Sequence, residues 1–549
     1  MKRHSSSTIM SALVVGACLL VLSSAGLTQS AAAAFDVPRG IPAVVGPIAD
    51  PIRIDSGLIS GTMIDAIKPS WQIFTGETVV GEDFIGTIGE PVRIYRGIPY
   101  AAPPVRELRW KPPQPVEPWE GIRECTTFGP MAAQYPFPQS FFYDSIPESE
   151  MSEDCLYLNV VTPARHTRDR YPVIVFFHGG GLVNGSTSYH GYNAPAMPQH
   201  GVVWVSVQHR LGVLGYMAHP ELTAESGNNA SGNYGMLDLI AALEWVQRNI
   251  EAFGGDPDRV TIIGQSGGGM KVNGLMASPL AEGLFHRAIC QSGFFFGSVP
   301  LQQGEQMGLN VQNNLECSSL AEMREKTWQE VVTAASADLF GTGDSGFTTV
   351  YTEDGYFLTD SMEDIFMNGG IHDVPYMVGV TGEEVYQPSV QSFFPVEFPM
   401  SWLGYVLQTM SGYMESPIYA YVFTHVPEGW KRHGVNAWHG IDVSYGFGNQ
   451  QSVSRFVYAI VDPLLTLNPD FTIKDPEIGW KDDWVSETLM NLQVQFAATG
   501  NPTGTHPRKW HKESFWPVYD ERDLFLDIGM PLLVRSGFST LMEKQPTRD

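Results

Sequence analysis

The sequence predicts an α/β fold in which a large, mostly parallel central sheet is flanked by helices. Two kinds of segment alternate along the chain and support this prediction. Nearly continuous apolar runs are typical of strands that are buried on both faces of a parallel sheet. Apolar residues at every third or fourth position are typical of a helix with one face against such a sheet. Their alternation favours parallel pairing, since parallel strands need a long crossover connection that a helix commonly supplies.

The individual elements follow in chain order. An amphipathic helix is predicted between Asp238 and Phe253, where apolar residues recur every three or four positions. The predicted strands lie in the segments YPVIVFFHGGG from Tyr171, GVVWVSVQHR from Gly201, Val260–Ile263, PYMVGV from Pro375 and PIYAYVF from Pro417. No internal repeat, low-complexity tract or interdomain linker interrupts this pattern, so a single extended domain is expected.

Size and charge narrow the classes of function. The chain has 549 residues, of which 43% are hydrophobic, and this is enough for an extensive core. The formal net charge is −26, from 33 basic and 59 acidic residues. Such a surface repels a phosphate backbone, so nucleic acid is not expected as a partner. The simplest role of the acidic surface is solubility.

The N-terminus has the pattern of a secretory signal peptide. A basic start is followed by the mostly apolar stretch Met10–Leu22, and Ala32 and Ala34 precede a predicted cut before Phe35. We therefore expect residues 1–34 to be removed. The remaining domain, residues 35–549, is expected to be exported to the periplasm or the extracellular space.

A lipoprotein signal that ends at Cys18, after the sequence VVGA, is the alternative. The apolar run continues beyond this cysteine as Leu19–Leu22, which favours the secretory interpretation. No later segment has the ~20 consecutive apolar residues that span a bilayer, so no transmembrane segment is predicted.

The segment VTIIGQSGGGMKV, from Val260, leads a predicted strand into a serine surrounded by glycines. It contains the pattern Gly-x-Ser-x-Gly, with Ser266 between Gly264 and Gly268. Small neighbours permit the tight strand-to-helix turn that projects such a serine above a sheet, and the helix N-terminus behind it offers free N–H groups. Ser266 is therefore the candidate nucleophile.

A second glycine-rich turn, HGGG from His178, follows the predicted strand Ile174–Phe177. Consecutive glycines let backbone N–H groups face the oxyanion that forms when a serine attacks a carbonyl. A flexible turn without function is the alternative. A third motif, GTGDSG over Gly341–Gly346, matches a dinucleotide fingerprint but lacks the strand before it and the helix after it, and Asp344 would face a phosphate.

With these motifs the chain resembles the type-B carboxylesterases, the branch of the α/β-hydrolases that includes cholinesterases and bacterial para-nitrobenzyl esterases. The resemblance extends over residues 53–530 and implies an α/β-hydrolase fold that cleaves a small-molecule ester without a cofactor. The absence of CxxC and HExxH patterns predicts no metal site. Further landmarks are YRGIPYAAPPVRELRWKPPQP from Tyr95, SEDCLYLNV from Ser152, SGNYGMLDLIAALEWVQRNIEAFGGDP from Ser231, LFHRAICQSG from Leu284 and ATGNP from Ala498.

The resemblance implies a Ser-Glu-His triad in that chain order. Ser266 matches the nucleophile. His439, which opens the segment HGIDVSYGFG, matches the histidine, and His433 is its nearest rival. In the segment GVTGEEV the family's acid matches Glu384, with the adjacent Glu383 as the alternative.

The resemblance also implies that the backbone N–H groups of Gly180, Gly181 and Gly267 bind the oxyanion. Two departures from the family lie beside the nucleophile. Gly267 replaces a usual alanine, and Gln265 replaces a usual glutamate. The loop in which cholinesterases hold the choline cation over a tryptophan has no tryptophan here. The loss of the glutamate at position 265 and the loss of the loop tryptophan both favour neutral esters over choline esters.

The resemblance implies a disulfide as well. Cys125 and Cys155 match the loop disulfide of the family. Cys317 is either free or joined to Cys290, and two free thiols are favoured because Cys290 lies in a predicted buried strand.

A structural ion pair of the family matches Arg109, in the segment ELRW, and Glu153, in the segment SEDC. Its implied role is to brace the base of the disulfide loop. It has no part in the chemistry.

The segment between Glu384 and His439 is shorter than in most relatives, which predicts a wide cleft above the nucleophile. Its one candidate helix lies within Phe398–Met414, where apolar residues would either line the mouth of the cleft or pack as core.

Two alternatives to a carboxylester hydrolase remain at this point. One is lipase-like activity on longer acyl chains, and the other is a non-catalytic, cholinesterase-like binding protein. Binding proteins of this kind have generally lost a member of the triad, whereas this chain keeps all three. The sequence specifies neither the natural ester nor the oligomeric state.

Overall fold

An eleven-stranded mixed sheet runs through the residues that the structure describes. The structure is a computed structural model. It describes residues 48, 50–64, 91–135, 150–189, 192, 196–293, 297–336, 345–382, 400–432, 435–450, 477–503 and 516–543. All of them belong to one compact unit, residues 37–549. The predicted signal peptide, residues 1–34, lies outside the described residues.

The strands are numbered in chain order. Within the described ranges they are β1 (Ile52–Ile54), β2 (Gly57–Ser60), β3 (Thr62–Ile64), β4 (Val92–Pro99), β5 (Ile122–Glu124), β6 (Met131–Ala132), β7 (Met151–Ser152), β8 (Tyr157–Thr162), β9 (Tyr171–Phe177), β10 (Val203–Val207), β11 (Gly255–Gln265), β12 (Arg287–Gln291), β13 (Ser298–Pro300), β14 (Tyr351–Glu353), β15 (Tyr376–Thr381), β16 (Ile418–Phe423), β17 (Leu524–Ile528) and β18 (Leu533–Ser536).

The α-helices of the same ranges are α1 (Gly212–Tyr216), α2 (Pro220–Glu225), α3 (Tyr234–Asn249), α4 (Gly267–Ala277), α5 (Leu301–Asn314), α6 (Leu320–Glu325), α7 (Trp328–Ala335), α8 (Met362–Met367), α9 (Met400–Tyr413), α10 (Glu428–Lys431), α11 (Ile441–Gly446), α12 (Trp480–Thr499) and α13 (Phe538–Glu543). Among these described helices, none combines the length and the apolar composition that crossing a membrane requires.

The large sheet has the strand order β18-β17-β16-β15-β12-β11-β9-β10-β8-β4-β3. Neighbours from β10 to β17 pair in parallel. At the two ends, β8, β4 and β3 on one side and β18 on the other pair antiparallel. The predicted mostly parallel sheet flanked by helices is therefore confirmed.

Strand β9 shows why its sequence is apolar throughout. Consecutive side chains of a strand point to opposite faces of the sheet. Val173 and Val175 belong to the hydrophobic core on one face, where α3 packs. Ile174 and Phe176 belong to the core on the other face, where α12 packs. Both faces are covered, so neither set of side chains is polar.

The predicted elements are present with shifted ends. The helix predicted between Asp238 and Phe253 begins earlier, at Tyr234, and continues as the 3₁₀ turn Ile250–Phe253. The predicted strand Val260–Ile263 is the central part of β11. The other four predicted strands are β9, β10, β15 and β16.

The predicted helix within Phe398–Met414 is α9. Leu403, Val406 and Met410 are buried in the same core as α3, whereas Tyr405 is exposed. Of the two interpretations of this helix, core packing is therefore the one that its described apolar side chains follow.

The predicted disulfide between Cys125 and Cys155 is not formed in this structure. The four cysteines of the described residues are buried and none is joined in a disulfide, which agrees with the favoured interpretation of Cys290 and Cys317. Cys125 interacts with the charge of Asp50, whereas Cys155 interacts with that of Asp238, so the two thiols have different surroundings. Cys155 shares a small cavity with Ala132 of β6.

The predicted ion pair is present. Arg109 donates two hydrogen bonds to Glu153, both of 2.6 Å, from Nε to Oε1 and from Nη2 to Oε2. Nη1 of the same guanidinium donates to the backbone carbonyls of Met323 and Lys326, at 3.1 and 2.7 Å. Because the pair is largely buried and bidentate, it ties the segment before β8 to the end of α6.

Candidate active site

Ser266 lies on a sharp turn between β11 and α4. Its backbone has φ 57° and ψ −123°, a conformation that is costly for a residue with a side chain. Flanking glycines make the turn possible. A Cβ on Gly264 would lie 2.3 Å from the backbone of Gly268, and a Cβ on Gly268 would lie 2.1 Å from the carbonyl oxygen of Phe177. This is the strained strand–serine–helix elbow that the Gly-x-Ser-x-Gly pattern predicts.

The elbow connects the sheet directly to the helix behind it. The Ser266 N–H donates to the carbonyl of Gln291 on β12 at 2.8 Å, which extends the parallel ladder by one residue. The Ser266 carbonyl accepts the first helical hydrogen bond, from Met270 N at 3.0 Å. Ser266 is half-buried, whereas residues 260–265 of β11 and residues 288–291 of β12 are buried.

The glycine loop, residues 178–181, follows the adjacent strand β9. Gly180 and Gly181 have φ of 94° and 63°, which favour glycine. The Gly179 carbonyl accepts a hydrogen bond from Nδ1 of His178 at 2.9 Å, and the Gly180 carbonyl accepts from the Asn184 N–H at 3.1 Å. The carbonyls of Gly179 and Gly180 are thus held by donors from the same stretch of chain.

Gly267 is in close contact with this loop. A Cβ on Gly267 would lie 1.9 Å from the Gly181 carbonyl oxygen. The alanine that is usual in the family would not fit here unless the loop moved. The three glycines implied as oxyanion donors, Gly180, Gly181 and Gly267, therefore lie together beside Ser266.

Sequence reasoning missed a buried lysine behind the loop. Lys271, in the second turn of α4, is fully buried, and its Nζ donates to the carbonyls of His178 and Gly181 at 2.9 and 3.2 Å. Burial lowers the pKa of Lys271 to about 7. The available signal was a lone charged residue in the otherwise uncharged helix GGGMKVNGLMA.

His439 lies on the opposite side of the elbow, just before α11. The Nε2 atom of His439 is 3.2 Å from the amide Nε2 of Gln265. With the amide as donor, this contact places an acceptor nitrogen of the imidazole next to the nucleophile's own neighbour in the chain. The structure thus brings His439 to Gln265, the residue before Ser266, although the two are far apart in the sequence.

A buried carboxylate, also missed from sequence, lies in the first turn of α11. Asp442 Oδ2 accepts hydrogen bonds from Gln291 Nε2 at 3.3 Å and from the Tyr421 hydroxyl at 3.2 Å. Burial, followed by the charge of Asp442, raises the pKa of Tyr421. These contacts tie the helix that follows His439 to β12 and β16. They therefore help to hold the backbone at His439 in place.

Some predicted site residues lie outside the described residues. They are Glu384, its alternative Glu383, the rival histidine His433 and most of the rejected motif Gly341–Gly346. The described segment after that motif leads into strand β14, whereas a dinucleotide-binding motif would open a helix there.

The parallel sheet, the elbow and the glycine loop on the adjacent strand define an α/β-hydrolase fold. Residues 72–394 match the Carboxylesterase family, and the chain belongs to this family.

Three relatives illustrate the range of similarity. The chain is 37% identical over 349 residues to carboxylesterase 1E of Rattus norvegicus, which covers 60% of this chain and 58% of that protein. It is 30% identical over 514 residues to the medium-chain fatty acyl-CoA hydrolase precursor of Anas platyrhynchos, covering 80% and 85%. It is 37% identical to the fumonisin B1 esterase of Sphingopyxis macrogoltabida, covering 53% of each. The matches therefore span little more than half of the rat and Sphingopyxis proteins.

Proposed function

We propose that the protein is an exported serine hydrolase that cleaves neutral carboxylic esters through an acyl-enzyme on Ser266. Membership of the carboxylesterase family supports ester hydrolysis. The predicted signal peptide supports export. The observation that carries the proposal is the strained elbow of Ser266 beside a loop of consecutive glycines, with His439 at the same edge of the sheet.

In the proposed acylation step, His439 takes the proton of the Ser266 hydroxyl as the oxygen attacks the ester carbonyl carbon. The carbonyl π bond breaks and leaves a negative oxygen, to which Gly180, Gly181 and Gly267 donate backbone N–H bonds. The tetrahedral intermediate collapses, and the alkoxide leaves as an alcohol with the proton from the imidazolium. An acyl ester on the serine remains.

In the proposed deacylation step, His439 takes a proton from water as the water oxygen attacks the acyl carbon. A second tetrahedral intermediate forms in the same oxyanion site. Its collapse returns the proton to Ser266 and releases the carboxylic acid. Glu384 orients the imidazole and stabilises its cation in both steps.

The position of β15 supports the assignment of the acid. Gln265, Gln291 and Gly379 lie side by side on β11, β12 and β15. Strand β15 ends at Thr381, two residues further on. Glu384 follows three residues after that strand end, and the carboxyl ends of parallel strands meet at one edge of a sheet. Strand β15 thus ends at the same edge of the sheet as the strand that leads to Ser266, which supports a triad acid in the segment that follows it.

The names of the relatives indicate several kinds of acyl substrate. One hydrolyses medium-chain fatty acyl-CoA and another is an esterase for fumonisin B1. We infer for this chain the feature that these names share, which is attack on a carboxylic ester or thioester. Lipase-like activity on longer acyl chains is the alternative within the same mechanism.

Active-site labelling tests the proposal. A fluorophosphonate reacts with an activated serine, and peptide mapping should find it on Ser266 alone. The matched control is Ser292, which stands at the same register on the neighbouring strand and is also preceded by Gln and followed by Gly. Labelled Ser266, together with hydrolysis of short p-nitrophenyl esters, is the expected result. Label on Ser292 or on another serine would contradict the assignment, and no label at all would favour a non-catalytic binding protein.

A further inference from the structure

Lys271 is a buried ammonium that the proposed mechanism leaves without a role. It lies in α4, which begins directly after Ser266, and its side chain is fully buried. Burying a charge is costly unless polar partners compensate for it. Two partners are present, and both are carbonyl oxygens of the glycine loop, from His178 and Gly181. The ammonium therefore connects the elbow helix to the loop that faces the nucleophile.

The geometry of the peptide bond shows what this connection controls. In a trans peptide, the carbonyl of one residue and the N–H of the next lie in one plane and point in opposite directions. The orientation of the His178 carbonyl thus fixes the orientation of the Gly179 N–H, and that of the Gly181 carbonyl fixes the orientation of the Leu182 N–H. The two peptide planes that carry the Gly180 and Gly181 N–H groups lie between these two planes. Lys271 holds the loop on both sides of its oxyanion donors.

The inner planes are held by other means. The Gly179 carbonyl is bonded to Nδ1 of His178, and the Gly180 carbonyl is bonded to the Asn184 N–H. These contacts orient the donors within the loop but do not attach the loop to α4. In the described residues, the two bonds from Lys271 join the loop to α4, the helix that begins directly after Ser266.

Gly267 fits the same arrangement. The Gly181 carbonyl oxygen occupies the space that a Cβ at position 267 would need, since the two would be 1.9 Å apart. A glycine at this position leaves room for the carbonyl to reach Nζ of Lys271 at 3.2 Å. Lys271 and Gly267 thus both accommodate the same group, the Gly181 carbonyl: the lysine donates to it and the glycine leaves room for it.

Two imidazoles complete the surroundings of the ammonium. The rings of His178 and His209 stack at 4.6 Å, and both are fully buried. Burial, and then the charge of Lys271, lowers the pKa of both rings, so both are neutral at neutral pH. The carbonyl dipoles are therefore the groups that compensate the Lys271 charge.

We propose that Lys271 is a positioning residue for ester hydrolysis, whose Nζ fixes the oxyanion loop against the elbow helix through the carbonyls of His178 and Gly181. This proposal rests on the proposed function, because it assigns the same loop to the oxyanion. It adds that the placement of the oxyanion donors depends on a side chain that touches neither the substrate nor Ser266.

The test is Lys271→Met, which keeps most of the length of the unbranched side chain and removes its donors. The expected result is a fall of about tenfold to a hundredfold in kcat with KM changed less than about threefold, because loss of a well-placed oxyanion donor lowers the rate of the chemical step. A trifluoromethyl ketone forms a hemiketal oxyanion on the serine, so its inhibition constant should rise by the same factor as kcat/KM falls.

The matched control is Asn273→Leu on the same helix. Asn273 is also fully buried, and its Nδ2 donates to the Gly293 carbonyl at 3.0 Å, on the turn beside the elbow. Removing this tether should lower the unfolding temperature and leave the affinity for the ketone unchanged. A purely structural role of Lys271 would make the two variants behave alike, and this outcome would overturn the proposal.

Two further measurements keep the result unambiguous. If Lys271→Met does not fold, Lys271→Gln takes its place in the same assays with the same expectation, because the shorter amide cannot reach both carbonyls. Fluorophosphonate labelling of Ser266 in wild type tests the proposed function separately. Labelled wild type with an unchanged ketone affinity in the variant would reject the role of Lys271 and leave the esterase assignment intact.

Discussion

Two copies of Gln-Ser-Gly stand side by side in this protein, and only one of them has the surroundings of a nucleophile. Gln265 and Gln291 are neighbours in the parallel register of β11 and β12. The serines that follow both have positive φ, 57° for Ser266 and 49° for Ser292. Each serine N–H donates to the next strand at 2.8 Å, to Gln291 in one case and to Gly379 in the other. Locally, the two turns are nearly equivalent.

The difference lies in what each turn faces. Ser266 is half-buried, and its chain neighbours Gly267 and Gln265 meet the glycine loop and His439, respectively, whereas Ser292 is buried. Gly267 abuts the Gly181 carbonyl, whereas Gly293 abuts the first turn of α4 at Gly269. One turn lies at an open edge of the site, and the other supports the helix behind it.

The helix α4 holds both turns, with different chemistry. Lys271 holds the glycine loop with an amino group that is charged below about pH 7, and Asn273 holds the turn after Ser292 with a neutral amide. The comparison shows that a serine between Gln and Gly with positive φ does not define a nucleophile by itself. The facing loop, the nearby imidazole and the tether distinguish the two turns.

The largest expected effect comes from exchanging each serine for alanine. Ser266→Ala should lower kcat on the order of a million-fold, as expected when a triad nucleophile is removed. Ser292→Ala should leave kcat within about fivefold of wild type. Steady-state hydrolysis of p-nitrophenyl acetate measures both. A comparable loss in the two variants would show that the turns are not functionally distinct.

The next effect separates the two candidate acids. Glu384→Gln should lower kcat by roughly 10³–10⁴, because the imidazole loses the group that orients it. Glu383→Gln should be mild, within about tenfold. The same assay serves both variants. If Glu383→Gln is the crippled enzyme, the acid lies one position earlier in the chain than assigned.

The local sequence pattern was sufficient to predict the strands and the turn at Ser266. The apolar runs of β9 and β11 predicted the strands, and the glycines around Ser266 predicted a turn too tight for larger residues. These features depend on neighbours in the sequence, which is why the elbow and the glycine loop could be found without a structure.

Contacts between distant segments could not be found in this way. The amide of Gln265 meets His439 across 174 residues of chain. The contacts of Lys271 with His178 and Gly181 depend on how α4 packs against β9. The disulfide between Cys125 and Cys155 was implied by the family resemblance, which does not show where the two side chains lie in this chain.

The charged and neutral tethers should differ in how pH affects stability. The pKa of Lys271 is about 7 in the folded chain, against an ordinary value of 10.5. Below about pH 7 the lysine is protonated in both states, and the cost of burying its charge is fully present. Between these values the unfolded chain binds more protons, so stability rises with pH by up to ~1.4 kcal/mol per pH unit.

Lys271→Met should therefore lose this rise, while Asn273→Leu should keep it. Guanidinium unfolding of the three proteins from pH 6.5 to pH 9.5 provides the measurement. The free energy of unfolding of wild type relative to Lys271→Met should increase across this range. Parallel curves for wild type and Lys271→Met would mean that the buried lysine does not release its proton.

The glycines that follow the two serines should respond differently to an added methyl group. Gly267→Ala pushes against the Gly181 carbonyl at the edge of the site, so the loop should shift and kcat should fall by about tenfold or more. Gly293→Ala pushes against the backbone of α4, where a Cβ would lie 2.4 Å from Gly269. This variant should lose mainly stability, by about 1–3 kcal/mol, as overpacked sites do. Equal effects on kcat and on unfolding temperature in both variants would contradict this division.

The smallest effect concerns substrate charge and the two glutamines. Gln291 faces the carboxylate of Asp442, whereas Gln265 faces His439. At position 265 the family usually has a glutamate. A unit charge at ~5 Å with an effective dielectric of ~20 contributes roughly 3 kcal/mol at most to holding a cation. A tryptophan under a choline group contributes up to ~2 kcal/mol, and the corresponding loop of this chain has none.

The missing negative charge at position 265 and the missing tryptophan both weaken the binding of a cationic substrate. We expect kcat/KM for a neutral acetyl ester, such as 3,3-dimethylbutyl acetate, to exceed that for acetylcholine by at least tenfold. Gln265→Glu should narrow the ratio by at least threefold, because it returns a negative charge beside the imidazole, while the neutral ester serves as the internal control. The candidate aromatics of the loop, Phe141, Phe142 and Tyr143, lie outside the described residues. A wild-type preference for acetylcholine would mean that one of them supplies a cation site, and that the charge at position 265 does not decide selectivity.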